Sequence, residues 1–368
     1  MSRAKICTLS WLLLALGTPA AGGEAVTIGV NVVNPQRLNA ADREAVLDQL
    51  QSAGVRVIRA PLAPPRGGDD YGPAIDFSRR AYERGIKTDL IVGLQYREGA
   101  QRRPAVTDLP TMWPSYPLSA ADSARFRAVF EPLFGQAETM GITFAALELG
   151  NEINWTAFNG DFPIPGEGRV FGQADLARDP EGRKIADGYH AYLQTLSVLK
   201  DIRDHSRLNR ATPILSAGLS DPGPARPLPG SKTDAVAIAA TLQYLRANGI
   251  DALVDAYAVH TYPWAKTAAR RLKQLEEDTL VECRPVAQGK PCWLTEWGLP
   301  AGPDACPGDD MHRPGFMREL LADFREFTHD GRLKGLLYFS WDDREYGVYR
   351  CGGLTYSGQL ALTQSLVD

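Results

Sequence analysis

Ala145-Ala146-Leu147-Glu148-Leu149-Gly150-Asn151-Glu152 is a short apolar run that closes on a carboxylate. A run of this length bounded by turn-forming residues fits a strand buried on both faces. Taken from 143 to 150, it is one of eight, the others lying at 26–33, 55–60, 87–94, 213–219, 254–260, 291–296 and 335–341. Longer amphipathic stretches lie between them, such as 40–53, 120–140, 185–205, 235–248, 268–282 and 315–330. Strands alternating with helices in this way imply βα units around a parallel sheet. Eight units fit one α/β domain, a single (β/α)8 TIM barrel over residues 26–368 with long βα loops; a doubly wound open sheet usually carries fewer strands. The Pro- and Gly-rich stretches 61–72, 163–168 and 221–230 each follow a strand and read as such loops. The last segment, 345–368, can add a small β hairpin around Cys351-Gly352-Gly353.

In a barrel of this kind the chemistry sits at the C-terminal ends of the strands and in the loops that follow. Glu152 occupies that position on the fourth expected strand. Glu296, in Pro291-Cys292-Trp293-Leu294-Thr295-Glu296-Trp297-Gly298, occupies it on the seventh. One strand-end glutamate alone is well explained as a helix cap or the partner of a basic residue. Two of them, one after Gly-Asn and one in Thr-Glu-Trp-Gly, read together as an active site, although 144 positions separate them. Hydrolysing a glycosidic bond with retention needs a proton donor on the leaving oxygen and a carboxylate on the anomeric carbon, the two carboxyls roughly 5 to 5.5 Å apart.

On these residues the chain resembles the clan A retaining glycoside hydrolases, over nearly all of its length after the first 25 residues. Gly150-Asn151-Glu152 matches the clan's Asn-Glu pair on strand four, and Thr295-Glu296-Trp297-Gly298 matches its nucleophile segment on strand seven. The resemblance implies that Glu152 is the acid/base and Glu296 the nucleophile that forms a covalent glycosyl-enzyme. Glu152 would then stay protonated near neutral pH and Glu296 ionised, which asks for different surroundings. Arg59, ending the second strand, resembles the arginine that holds the nucleophile; an interior ion pair with Glu148 is the plainer alternative. Asn151 resembles the residue that binds the sugar 2-hydroxyl, with a bond to its own turn as the alternative. In His260-Thr261-Tyr262-Pro263-Trp264 the clan pattern has Tyr262 donate to Glu296 and His260 line the sugar site. Trp341, in Tyr338-Phe339-Ser340-Trp341-Asp342, matches the aromatic platform under the sugar, with Asp342 beside it as a further substrate-binding candidate. Trp113, Trp155, Trp264 and Trp297 also fall in loops or at strand ends on that face, where indole rings can stack on sugars.

Departures from the pattern bear on the substrate. Ile153 stands where many families carry Asn-Glu-Pro, which disfavours cellulases and mannanases, while Gly-Asn-Glu resembles endo-galactanases and some glucanases. The third strand ends in Gly93-Leu94-Gln95-Tyr96-Arg97, without the histidine some relatives have there. A carbohydrate-binding barrel without activity would keep the tryptophans and lose a carboxylate, yet both are present. A metal-dependent barrel enzyme needs His and acidic ligands on several strand ends. Of five histidines only His260 is so placed, and neither a metal nor another cofactor is expected.

Arg3 and Lys5 precede an apolar stretch from Leu9 to Leu16, and small residues follow, which is the layout of a secretory signal peptide. The stretch falls short of the roughly 20 residues a spanning helix needs. We expect residues 1–25 to be removed and the protein to be secreted or periplasmic. Export exposes Cys283, Cys292, Cys306 and Cys351 to an oxidising compartment, and their even number points to two disulfides. Of the three connectivities, Cys283 with Cys292 and Cys306 with Cys351 is preferred. No CxxC supports a zinc site. A hydrophobic content of 44% can form a large core, no later apolar run is long enough to cross a membrane, and the charge of −4 gives no polyanion-binding surface. The expected partner is a poly- or oligosaccharide, with no nucleic acid and no membrane, bound by a monomer.

Overall fold

The computed structural model describes residues 25–65, 68–106, 114–222, 232–263, 265, 267–301 and 313–367. Eight parallel strands, Thr27–Asn31, Val57–Leu62, Lys87–Val92, Ala146–Leu149, Ile214–Leu215, Tyr257–Thr261, Cys292–Trp297 and Leu333–Tyr338, run around a barrel in chain order, the eighth pairing back onto the first. The fifth is only two residues long, and single bridges from Leu215 to Ala256 and from Leu219 to Val259 join it to the sixth. All eight strands expected from the sequence are present. The mostly apolar runs suit them, because a parallel sheet wrapped in helices is buried on both faces.

Two packing layers follow from strand alternation. Inside, Ala146, Leu215, Ala256, Ala258, Trp293 and Leu337 form their own cluster. Trp293 is the largest member of this cluster, and Gly335 on the neighbouring strand makes room for it: a Cβ there would lie 2.3 Å from the indole ring. Outside, Phe126, Phe130 and Phe134 of the helix Ser123–Thr139 stack in series and end on Phe144, each pair of rings 5.3 to 6.0 Å apart. Several helix starts are set by short polar side chains. Asn39 accepts from the Asp42 N–H before Ala40–Ser52, and Asp122 and Asp179 cap Ser123–Thr139 and Pro180–Asp204 in the same way.

Some expected boundaries move. A helix over Gly72–Glu83, not singled out in the sequence, packs Ala74, Ile75, Phe77, Ser78 and Ala81 inward. The helix expected from 235 begins at Ile238, because Ala235–Val236 pairs in parallel with Val170–Phe171 and ties together the loops after the fourth and fifth strands. The stretch 268–282 is helical over Ala268–Gln274 and ends in a π turn, Leu275–Thr279. The hairpin expected near Cys351 forms between Tyr349–Arg350 and Gly353–Leu354. Cys283 and Cys292 are joined in a disulfide. Cys351 is disulfide-bonded as well, and its expected partner Cys306 lies outside the described residues. The segment read as a signal peptide lies outside them apart from its last residue, and no described helix is long and apolar enough to cross a membrane.

Candidate active site

Gly150, with φ of 81°, turns the chain at the end of the fourth strand, and Glu152 itself has φ of 44°, an uncommon value for a residue with a Cβ. Its N–H donates to the Gly218 carbonyl at 2.6 Å, and its carbonyl accepts from the Trp155 N–H at 3.0 Å, so the backbone bonds hold the conformation. Glu296 is the penultimate residue of the seventh strand, just past an irregularity in its pairing with both neighbouring strands after Leu294. A carboxylate oxygen from each glutamate and a ring nitrogen of His260 lie within 4.8 Å of one another at the barrel mouth.

Arg59 organises the anionic side of the site. It is 1% exposed; Nη1 donates to Glu296 Oε1 at 2.6 Å and to Asn31 Oδ1 at 2.9 Å. Its Nε and Nη2 form a fork on the fully buried Glu148, at 3.0 and 2.6 Å, and Nη2 also donates to Asn151 Oδ1 at 2.8 Å. The two explanations open for Arg59 in the sequence therefore hold together: the guanidinium neutralises an interior glutamate and holds the strand-seven carboxylate. Burial alone would lower the Arg59 pKa, but Glu148 and Glu296 override it and raise it. With its oxygen taken by Arg59, Asn151 keeps its NH2 group as the donor it can offer a ligand.

The Tyr262 hydroxyl donates to the other oxygen of Glu296, Oε2, at 2.7 Å. Burial and the Glu296 charge push the tyrosine well above its ordinary pKa, so it stays a donor. For Glu296, burial works upward but is outweighed by the charges of His260 and Arg59 and by hydrogen bonds from Tyr262 and Arg59, which hold it below the ordinary glutamate value. His260 is 1% exposed, with Nδ1 3.0 Å from Glu152 Oε1 and Nε2 3.2 Å from the Thr295 hydroxyl. It faces the carboxyls and Thr295, where the sequence suggested that it line the sugar site. Glu152, His260 and Glu296 form the one cluster of metal-ligand type among the described residues. Both Glu296 oxygens are engaged by donors and a cation would sit beside a guanidinium, so the donor set suits an ionised carboxylate better than a metal.

The tryptophans expected at the sugar need correction. Trp297 and Trp341 are fully buried. Trp297 follows Glu296, so alternation turns it outward, edge to face with Phe324 and Tyr338 at 5.1 and 4.9 Å. Trp341 stacks on Tyr349 at 5.0 Å, its Nε1–H 3.3 Å from Gln49 Oε1. A half-buried ring that the sequence reading missed is Phe339: with Tyr346 it encloses the ring of Tyr262, the donor to Glu296, at centroid distances of 5.9 and 5.3 Å. Trp155 is half-buried against Phe158, and Asp342 is exposed and joins none of the hydrogen bonds of the carboxylate pair. Trp113 and Trp264 lie outside the described residues. Asn31 was also missed. Its amide binds Arg59 and donates to the Thr295 carbonyl at 2.8 Å, which ties the first strand to the second and seventh directly under Glu296.

No protein-family model matches the sequence, and a search of curated proteins finds no match. Solved structures do resemble it. The structure reported for two fungal β-1,4-galactanases superposes with a TM-score of 0.52 at 14% identity, covering 91% of this chain and 99% of that one. A broad-specificity endoglucanase from an uncultured bacterium gives 0.53 at 14% identity, over 93% and 94% of the two chains. A family 5 xyloglucanase from Paenibacillus pabuli gives 0.50 at 10% identity, over 94% and 99%. At these identities the likeness establishes the fold: the chain is a (β/α)8 barrel of the shape these enzymes share.

Proposed function

We propose that the protein is a retaining glycoside hydrolase that cleaves a β-linked poly- or oligosaccharide by double displacement. The observation that carries this reading is the pair of strand-end carboxyls within 4.8 Å of each other, one of them held ionised by Arg59 and Tyr262. An approach of 4.8 Å or less between an oxygen of each suits direct attack on the sugar, for which the carboxyl groups stand about 5 to 5.5 Å apart, whereas inversion needs about 6.5 to 9.5 Å to admit a water. Glu152 gives its proton to the glycosidic oxygen as Glu296 Oε bonds the anomeric carbon and the leaving C–O bond breaks. A water then attacks that carbon, Glu152 takes its proton, and the Glu296 ester bond breaks with net retention. The Asn151 amide serves the 2-hydroxyl, and Phe339 with Tyr346 takes the sugar-facing place that Trp341 does not. Residues 1–25 serve as a cleaved leader, and the Cys283–Cys292 disulfide suits the oxidising compartment to which it leads. The enzyme works as a monomer, without a cofactor.

The test is a reducing-sugar screen on β-1,4-galactan, β-1,3- and β-1,4-glucans, mannan and xylan, followed by Glu152→Gln and Glu296→Gln on whichever is cleaved. Each variant is expected to fold and to lose about a thousandfold or more in kcat. Near-normal turnover by either would remove that glutamate from its role. Binding by the wild type without cleavage of any glycan would favour the inactive, carbohydrate-binding barrel.

A further inference from the structure

Gly218 lies where the ends of the fourth, fifth and sixth strands meet. Its N–H donates to Glu148 Oε1 at 3.0 Å, and its carbonyl accepts the Glu152 N–H at 2.6 Å. The next residue is tied to the sixth strand in both directions: the Leu219 N–H donates to the Ala258 carbonyl at 3.1 Å, and its own carbonyl accepts from the His260 N–H at 2.8 Å. Backbone bonds thus fix this glycine against the segments that carry Glu152 and His260.

A Cβ at position 218 would stand 2.0 Å from His260 Nε2 and 2.8 Å from both Cδ2 and Cε1. The ring has no easy retreat. It is 1% exposed, and each nitrogen is within hydrogen-bond distance of a partner, Nδ1 of Glu152 and Nε2 of Thr295. Gly218 is not among the residues with positive φ, so the glycine is needed here for space and not for a turn.

We propose that Gly218 is a positioning residue: the space left by its missing side chain seats the His260 imidazole against the backbone, and this seat keeps Nδ1 on the Glu152 carboxyl. Nδ1 also lies 3.6 Å from Glu296 Oε2, so the seated ring stands between both carboxyls on one side and the Thr295 hydroxyl on the other. A change of charge at Glu152, which a double displacement makes twice per turnover, is therefore felt directly at the ring. The seat itself is independent of the proposed activity; its effect on turnover rests on that reading.

The experiment combines 15N NMR of histidine-labelled free protein with melting of a double-mutant cycle, Gly218→Ala, His260→Ala and the pair. In the wild-type background, Glu152→Gln is expected to shift the His260 nitrogen signals; in Gly218→Ala the same substitution leaves them in place. Gly218→Ala is expected to lower Tm by about 3 °C or more alone and by much less once His260 is Ala. Should Gly218→Ala alone fail to fold, a double variant that folds and melts near His260→Ala gives the same support. On the glycan that the wild type cleaves, kcat is expected to fall about 100-fold. His260 signals that still respond to Glu152→Gln in Gly218→Ala, or equal Tm losses in both backgrounds, would overturn the proposal. Neither the NMR nor the melting needs a substrate, so the role of Gly218 is tested even in a protein that cleaves no glycan.

Discussion

Arg59 divides one buried positive charge between Glu148 and Glu296, at 2.6 Å from an oxygen of each. Removing a partner from such a buried pair costs about 3 to 5 kcal/mol, because the remaining charge is left uncompensated. Stability and chemistry therefore draw on the same residue. The folded pKa of Glu296 is lowered, so its ionised form stabilises the protein above the unfolded value of about 4.3, and that contribution is lost as pH falls through the folded value. In the proposed double displacement the same titration is expected to set the acid limb of kcat/KM. Tyr262→Phe removes a donor to the charged form, so the limb is expected to move to higher pH, with kcat/KM at the optimum lower by about tenfold or more. A pH profile of both proteins checks this; a limb that stays in place or moves to lower pH would separate Tyr262 from the titration. Glu152 and Glu296 could be read from the sequence because each closes an apolar run. Alternation counted from Trp293 and Thr295 would have turned Trp297 inward, and the irregular pairing between Leu294 and Glu296 reverses that. Trp341 and Phe339 could not be sorted that way, since the eighth strand ends at Tyr338 and the chain beyond it no longer alternates.

At the scale of strands and helices, the site depends on how closely neighbouring strands approach. Gly335 shows this inside the barrel, where its bare Cα faces the Trp293 ring of the strand that carries Glu296. Gly335→Ala is expected to destabilise the protein by about 1 to 3 kcal/mol through overpacking. Urea unfolding would show a lower midpoint with an unchanged slope, and a midpoint equal to the wild type would mean that the barrel interior has slack. Strands were legible as apolar runs of the right length. The fifth was overestimated, since 213–219 is apolar but for Ser216 and only Ile214–Leu215 is regular strand. Its later residues make single bridges to their neighbours and leave Gly218 against His260. The helix start at 235 was misjudged because pairing with Val170–Phe171, remote in sequence, outweighs local propensity.

Over the whole molecule, chain order and barrel order coincide, and this is what brings residues 144 positions apart to one mouth. The alternation of strands and helices made that legible without any relative. The walls of the mouth were not legible, because long loops pack by contacts that no periodicity records: Arg103 binds the Asn159 carbonyl at 3.2 Å, and Asn154 donates to the Ser220 and Val236 carbonyls at 2.9 and 2.8 Å. In the proposed hydrolase those loops would decide which sugar fits, and the carboxyl pair the stereochemistry. Proton NMR of the first product released from a cleaved β-glycan separates retention from inversion. Double displacement at Glu296 releases the β-anomer first, with mutarotation later; initial release of the α-anomer would rule it out.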